Sequence, residues 1–203
     1  MIVIVDYGIG NLASVLNMFK KIGIKDVAIS NDKDVVSKAS KLLLPGVGAF
    51  DAGMTNLENS GLIPVLNDKA LKEKVPVLGI CLGMQLLTKR SEEGKKNGLG
   101  WVDAETVKFT PSPELKLKVP NMGWNYVKVQ RENPLIDTKS KNRFYFVHSY
   151  YVKCLDEKQS LATSHFDVDF TCMVNKENIF GAQFHPEKSL KFGMKLLENF
   201  SKI

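Results

Sequence analysis

Short apolar runs alternate with amphipathic segments along the first half of the chain. Runs rich in β-branched and aliphatic residues predict buried strands, which lie at residues 2–5, 27–30, 41–44 and 75–80. Apolar residues at helical spacing predict helices, which lie at about residues 11–22, 52–58, 63–72 and 82–90. Strands that alternate with helices in this way indicate parallel strands joined by crossover helices.

The pattern changes in the second half of the chain. Residues 99–184 show short strands and turns without a long helical period, which predicts an antiparallel extension of the sheet. A last helix is expected at about residues 190–201, with Leu190, Met194 and Leu197 on one face. The chain has no internal repeat and no low-complexity linker. We therefore predict one α/β domain over residues 1–203, with a mostly parallel central sheet flanked by helices and an antiparallel extension.

The most informative chemical signal is a cysteine between a predicted strand and a predicted helix. Cys81 is flanked by Gly79 and Gly83, which makes a Gly-x-Cys-x-Gly segment, the thiol counterpart of a nucleophile elbow. Glycines at these positions let strand and helix approach closely, and the helix directs its free N–H groups at the sulfur. The N–H of Leu82 is placed to donate to an oxyanion. A buried structural cysteine is equally compatible with the pattern, so a matching base is needed.

A base must come from one of three histidines, which are His148, His165 and His185. His185 follows a predicted strand at residues 178–184 and belongs to a His-Pro-Glu segment. Residues two apart on an extended chain face the same way, so the carboxylate of Glu187 would orient the imidazole. A solvated turn is the alternative. His148 suits a structural or substrate-side role, and His165 has no partner pattern. We assign Cys81, His185 and Glu187 as nucleophile, base and orienting group.

These residues carry a family resemblance. Gly-Ile-Cys-Leu-Gly-Met-Gln at 79–85 with a distant His-Pro-Glu resembles the class I, triad-type glutamine amidotransferases. Three further segments are similar to those of the glutaminase subunits of imidazole glycerol phosphate synthases: Asp-Tyr-Gly-Ile-Gly-Asn-Leu at 6–12, Leu-Pro-Gly-Val-Gly-Ala-Phe at 44–50 and Val-Pro-Asn-Met-Gly-Trp-Asn at 119–125. The resemblance runs from residue 2 to 188 without a departure at a triad position, and it implies the class I glutamine amidotransferase fold.

The resemblance also implies further site residues. The loop at residues 45–48 would supply a second oxyanion donor through the Val47 N–H, next to that of Leu82. Its two glycines allow a peptide plane to reorient, although an ordinary Pro-Gly turn explains them almost as well. The implied contacts to glutamine are Gly48, Gln85, Ser149 and Tyr150.

A partner protein is implied as well. By the resemblance, the chain forms a heterodimer with a (β/α)₈-barrel cyclase, and Met122, Trp124, Tyr145 and Lys188 face that partner. Without the resemblance, tryptophan and methionine beside a glycine would more often be core residues. The implied reaction is hydrolysis of glutamine to glutamate and ammonia through a γ-glutamyl thioester. The cyclase would use this ammonia to form imidazole glycerol phosphate and aminoimidazole carboxamide ribotide in histidine biosynthesis. No cofactor and no metal are expected.

Three alternatives stay open at this point. A glutaminase serving a pyridoxal phosphate or anthranilate synthase would keep the triad, although segments 6–12 and 119–125 argue against it. A stand-alone cysteine hydrolase or peptidase would also use an elbow cysteine, but it would need no partner. A non-catalytic interaction subunit would not require the three triad residues.

Composition and charge restrict the cellular environment and the classes of binding partner that we expect. Three widely spaced cysteines suggest neither a disulfide framework nor a zinc site, and a reducing, cytoplasmic environment is expected. There is no basic leader and no apolar run of ~18 residues, so we expect neither a secretory signal nor a membrane span. The net charge of +6 is spread over lysines that alternate with acids. This distribution argues against nucleic-acid binding and is compatible with docking of an acidic protein partner.

Overall fold

The computed structural model describes residues 1–203, except for the side chain of Leu115. Its centre is an 11-stranded sheet in which nine strands follow the order β2-β1-β3-β4-β11-β10-β9-β6-β7. The strands are β1 (Ile2–Val5), β2 (Val27–Ser30), β3 (Lys41–Gly46), β4 (Val77–Cys81), β5 (Ala104–Lys108), β6 (Asn121–Val129), β7 (Asn142–His148), β8 (Tyr150–Cys154), β9 (Ser160–Phe166), β10 (Val168–Lys176) and β11 (Ile179–Ala182).

The sheet has a parallel half and an antiparallel half. Strands β2, β1, β3, β4 and β11 are parallel to their neighbours within this group. From β11 outward the pairs are antiparallel, and β5 and β8 form a side ladder that joins at β10. The predicted α/β fold with an antiparallel extension is confirmed.

Six α-helices flank this sheet: α1 (Leu12–Lys21), α2 (Lys33–Ser37), α3 (Phe50–Asn59), α4 (Ile63–Asn67), α5 (Leu82–Leu86) and α6 (Leu190–Lys202). The first begins at an N-cap, because the Asn11 Oδ1 accepts a hydrogen bond from the Ser14 N–H at 3.4 Å. A π-helical turn at Asp68–Lys72 continues α4, so the predicted helix at 63–72 is present in two forms. No helix in the part of the chain that the structure describes has the length and apolarity needed to span a bilayer.

Two predicted helical details are wrong. The helix expected at 82–90 ends at Leu86, because the Thr88 side chain donates to the Gln85 carbonyl at 2.7 Å and the chain then turns. Arg90, which the predicted helix included, instead forms an isolated β-bridge with Asn97. Leu190 was expected on the apolar face of the last helix but is 64% exposed, with φ +49° at the first residue of α6.

The core lies on both faces of the sheet. Alternate residues of β1 point to opposite sides: Ile2 and Ile4 pack with α1 and α6, whereas Val3 and Val5 pack against α3 and α4. Burial on both faces explains the near-continuous apolar runs of the parallel strands. The sheet is thereby held rigidly under the carboxyl end of β4, where Cys81 lies.

Candidate active site

Cys81 lies on a strained turn at the end of β4. Its backbone has φ +54° and ψ −112°, and α5 begins at the next residue. A positive φ at a residue with a Cβ costs on the order of 1–3 kcal/mol and tends to mark functional sites. The side chain is 8% exposed and lines a cavity. A strand, a strained residue and a helix thus follow one another as the Gly-x-Cys-x-Gly segment predicts.

The flanking glycines are required by close backbone contacts. A Cβ added to Gly79 would lie 2.7 Å from the Gly83 carbonyl oxygen. One added to Gly83 would lie 1.8 Å from the Leu44 carbonyl oxygen on β3. Any side chain at these positions would push α5 away from the sheet and move Cys81 with it.

His185 and Glu187 form a buried pair next to the elbow. The His185 Nδ1 donates to the Glu187 Oε1 at 2.8 Å, and the two side chains are 3% and 4% exposed. Burial lowers the pKa of His185, but hydrogen bonds and charge interactions with Cys81 and Glu187 outweigh it and raise this pKa to about 10. The imidazole is therefore held in its protonated form, with Nδ1 on the carboxylate and Nε2 free for the sulfur.

The segment that carries this pair is fixed from two sides. The His185 N–H donates to the Tyr145 carbonyl on β7 at 2.9 Å, and the Ser189 hydroxyl donates to the His185 carbonyl at 2.6 Å. On the other side, a Cβ at Gly193 of α6 would lie 1.7 Å from the Pro186 carbonyl oxygen. The imidazole is thus positioned by both a strand and a helix.

A cavity of about 380 Å³ lies above the elbow. The cavity is lined by the residues that were predicted as nucleophile, base, oxyanion donors and substrate contacts. These are Cys81, His185, Val47, Leu82, Gly48, Gln85, Ser149 and Tyr150. Lys188 lines it as well, whereas Glu187 sits behind His185. Residues from Val47 to Lys188, far apart in the chain, are therefore brought into one concave site.

The loop at residues 45–48 begins beside the nucleophile. Gly46 is paired with Cys81 across β3 and β4, and the Pro45 carbonyl accepts a hydrogen bond from the Tyr7 hydroxyl at 2.7 Å. Burial, and secondarily the charge of Cys81, raises the pKa of Tyr7, so its hydroxyl stays a donor. Tyr7 was not predicted as a site residue, and it anchors the start of the loop that carries Val47.

Glu93 is a cavity residue that sequence reasoning missed. Its Oε2 accepts the N–H of Phe50, the first residue of α3, at 2.9 Å. It lies in the irregular segment after α5, where no periodicity or motif distinguishes one glutamate from its neighbours. An anionic group at this place suits an ammonium group of a ligand.

The two remaining histidines differ in their surroundings. His148 is buried at the cavity wall, where its Nδ1 donates to the Tyr150 carbonyl at 2.8 Å and its Nε2 accepts from the Asn121 amide at 3.1 Å. Burial lowers the pKa of His148 to about 4, aided by the nearby His185, although the Tyr150 carbonyl acts in the opposite direction. His165 is exposed and contacts Asp169 at 2.7 Å. Neither histidine is placed as the base.

The residues predicted to face a partner lie on an open face of β6 and β7. Met122 is 62% exposed, and the Trp124 and Tyr145 rings meet edge to face at 6.2 Å. The Lys188 ammonium lies 5.9 Å from the centre of the Tyr145 ring, while Lys188 also lines the cavity. This open face, which we call the β6–β7 face, therefore adjoins the cavity and is not part of the core.

Comparison with known proteins places this arrangement in a family. The model of the class-I glutamine amidotransferases matches residues 3–203. The chain therefore belongs to the class-I glutamine amidotransferase family. A solved structure of PurLQS from Thermotoga maritima shares the fold, with a TM-score of 0.74 at 16% identity over 99% of this chain and 97% of that one.

Curated relatives carry a name that is more specific than the family. "Imidazole glycerol phosphate synthase subunit HisH 2" of Methanococcus maripaludis is 59% identical over 100% of this chain and 99% of its own length. The protein of the same name from Pseudomonas aeruginosa is 50% identical, with complete coverage of both chains.

Proposed function

We propose that this chain is the glutaminase subunit of an imidazole glycerol phosphate synthase in histidine biosynthesis. The observation that carries the proposal is the strained Cys81 facing a cavity with the buried His185–Glu187 pair beside it. The full-length similarity to proteins named as that synthase's HisH subunit supplies the pathway. Free cysteines in the described residues support a reducing, cytoplasmic setting.

Catalysis begins with glutamine bound so that its side-chain amide lies over Cys81. The thiolate attacks the amide carbon, and the N–H groups of Leu82 and Val47 hold the oxygen that becomes negative. His185 gives its Nε2 proton to the departing nitrogen, which leaves as ammonia. The acyl group stays on the sulfur as a γ-glutamyl thioester. The imidazole then takes a proton from water, the hydroxide displaces the sulfur, and glutamate is released. Glu187 stabilises the imidazolium whenever it forms.

The rest of the cavity suits the amino-acid end of glutamine. We assign Glu93 to the α-ammonium group, because it is a carboxylate among the residues that line the cavity. Gly48, Gln85, Ser149 and Tyr150 would complete the polar contacts. Glu93→Gln should therefore raise the KM for glutamine about tenfold or more while changing kcat less.

The β6–β7 face suits the cyclase partner. Its exposed methionine and half-buried aromatic rings are residue types enriched at the centre of protein interfaces. Lys188 and Tyr145 join this face to the cavity, which is where ammonia would have to leave. Met122 and Trp124 are accordingly assigned as anchors for the (β/α)₈-barrel subunit.

The direct test measures glutamate release by the purified chain, alone and with a histidine-pathway cyclase that carries its nucleotide ligand. We expect little turnover alone, strong stimulation by the loaded cyclase, and none in Cys81→Ala. High turnover without a partner would identify a stand-alone hydrolase. Stimulation only by a pyridoxal phosphate or anthranilate synthase would move the chain to another pathway.

The interface assignment has its own matched test. Trp124→Ala should abolish stimulation by the cyclase, while iodoacetamide alkylates Cys81 at an unchanged rate. Leu155→Ala removes an apolar side chain just after β8 that is more exposed than Trp124, and it should leave stimulation intact. Equal loss in both variants, or in neither, would refute the assignment of Trp124.

A further inference from the structure

Gln183 is a buried residue at the nucleophile that the catalytic scheme does not use. It follows β11, two residues before His185, and its side chain is completely shielded from solvent. Its Nε2 lies 3.7 Å from the Cys81 Sγ, within hydrogen-bonding distance for sulfur. Its Oε1 accepts a hydrogen bond from the Gln85 Nε2 at 3.0 Å. Gln183 therefore links the sulfur to a residue on the cavity wall.

The direction of these hydrogen bonds is fixed by a backbone carbonyl. The Tyr150 carbonyl can only accept, and the Gln85 Nε2 donates to it at 3.2 Å. The second N–H of the same Gln85 nitrogen points to Gln183, which must then present its oxygen. The Gln183 amide cannot rotate without placing two donors against each other, so its own N–H groups face the sulfur.

We propose that Gln183 is a positioning residue that holds Cys81 as a thiolate, through a hydrogen-bond relay anchored at the Tyr150 carbonyl. This inference rests on the proposed function, in which Cys81 is the nucleophile. A hydrogen bond to an ionised acceptor is roughly twice as strong as one to a neutral acceptor, so the relay favours the thiolate over the thiol. It also fixes the direction of the sulfur relative to His185, which supplies the positive charge of the pair.

Other titratable groups line the same cavity or contact the residues that line it, and they must stay constant in a test. They are His185, Glu187, Tyr7, His148, Glu93 and Lys188. Gln183 carries no charge, so replacing it by methionine removes the N–H donor without altering the charge of this set. The two remaining cysteines react slowly by comparison, because burial raises the pKa of Cys154 to about 11 and also that of Cys172.

The test is the rate at which iodoacetamide alkylates Cys81, followed across pH by mass spectrometry of the full-length chain. In Gln183→Met we expect a rate about tenfold lower at neutral pH, a midpoint about one pH unit higher, and the parent's plateau at high pH. In Gln183→Glu the Gln85 contact is kept but an acceptor faces the sulfur, so the midpoint should rise further. Alkylation requires neither glutamine nor a partner, so this outcome is independent of the glutaminase assay.

A matched control and two contrary results make the test decisive. Gln159 is another buried glutamine, whose side chain accepts from the Asp103 N–H at 2.8 Å and is not part of the cavity lining. Gln159→Met should leave the alkylation profile of Cys81 unchanged. Coincident profiles for the parent and Gln183→Met would overturn the proposal. So would a rate lowered by the same factor at every pH, since that indicates altered packing without loss of the thiolate.

Discussion

Replacing Gly83 by alanine tests whether close strand–helix packing holds the nucleophile in place. The new Cβ would lie 1.8 Å from the Leu44 carbonyl oxygen, whereas ordinary contact begins at 3.4 Å, so β3 and α5 must separate by about 1.6 Å. Overpacking of this kind costs roughly 1–3 kcal/mol, and the better helix propensity of alanine returns about 1 kcal/mol. We expect a net loss of at most about 2 kcal/mol, which lowers Tm by at most roughly 8 °C in a chain of this size.

The effect on activity should be larger than the effect on stability. Cys81 is the residue immediately before α5. A displacement of about 1 Å at a reacting group can cost on the order of a hundredfold in rate. Partner-stimulated glutamate release should therefore fall about a hundredfold, in a protein that is still folded at the assay temperature by circular dichroism.

Gly53 offers the matched control. It is also a buried helical glycine, but a Cβ there would meet the flexible ends of Leu82 and Leu86 at 3.0 and 3.2 Å. Gly53→Ala should change Tm by no more than about 2 °C and keep near-parental activity, because side-chain ends move cheaply. If Gly83→Ala behaves like Gly53→Ala in both assays, the close backbone approach does not position the nucleophile.

Three further predictions concern single side chains. Glu187→Gln should lower kcat about 10- to 100-fold with little change in KM, because a buried charged hydrogen bond to His185 is worth roughly 1.5–3 kcal/mol. Stability should fall on acidification: the unfolded chain protonates His148 below pH 6.5, whereas the folded chain does not until about pH 4. This linkage lowers the free energy of unfolding by about 2 kcal/mol at pH 5 relative to neutral pH. Urea titrations of His148→Gln should not show this decrease. Tyr7→Phe leaves the Pro45 carbonyl without its donor and should lower unfolding free energy by roughly 1–3 kcal/mol in the same titrations.

Exposed residues of the same types provide the controls. Glu177→Gln, His165→Gln and Tyr126→Phe change the same groups on the surface and should have little effect. A normal kcat in Glu187→Gln would refute the role of the carboxylate. An acid dependence that persists in His148→Gln, or an unchanged stability in Tyr7→Phe, would refute the corresponding burial argument.

The cysteine elbow could be predicted from sequence because its pattern is local. Glycines two residues to either side of a cysteine form a local pattern, and a two-residue spacing was enough to pair Glu187 with His185. The reason given for that pairing was wrong, because Pro186–Lys188 forms a 3-10 turn and not an extended chain. The alternation of apolar runs likewise predicts the parallel half of the sheet. These features depend on neighbours in the chain, which a single sequence displays directly.

Features that depend on distant partners were not predictable. Glu93 accepts a hydrogen bond from the first N–H of α3, forty-three positions away, and nothing in the sequence around Glu93 indicates this contact. The early end of α5 follows from a Thr88 hydrogen bond that competes with continuation of the helix. Gln183 has an interpretable role only once β11 lies beside β4, which is a tertiary pairing.

The position of β11 has a consequence for how the protein is made. Of all the strands, β11 is synthesised last, yet it inserts between β4 and β10 near the middle of the sheet. Until residues 179–187 leave the ribosome, the nascent chain has an apolar edge at β4 and lacks His185, the base that we propose for Cys81. Long-range pairing of this kind slows folding and exposes a strand edge to misassembly. The same order ensures that a translation product ending before residue 187 lacks part of the proposed triad, so the proposed site is complete only after β11 has been made.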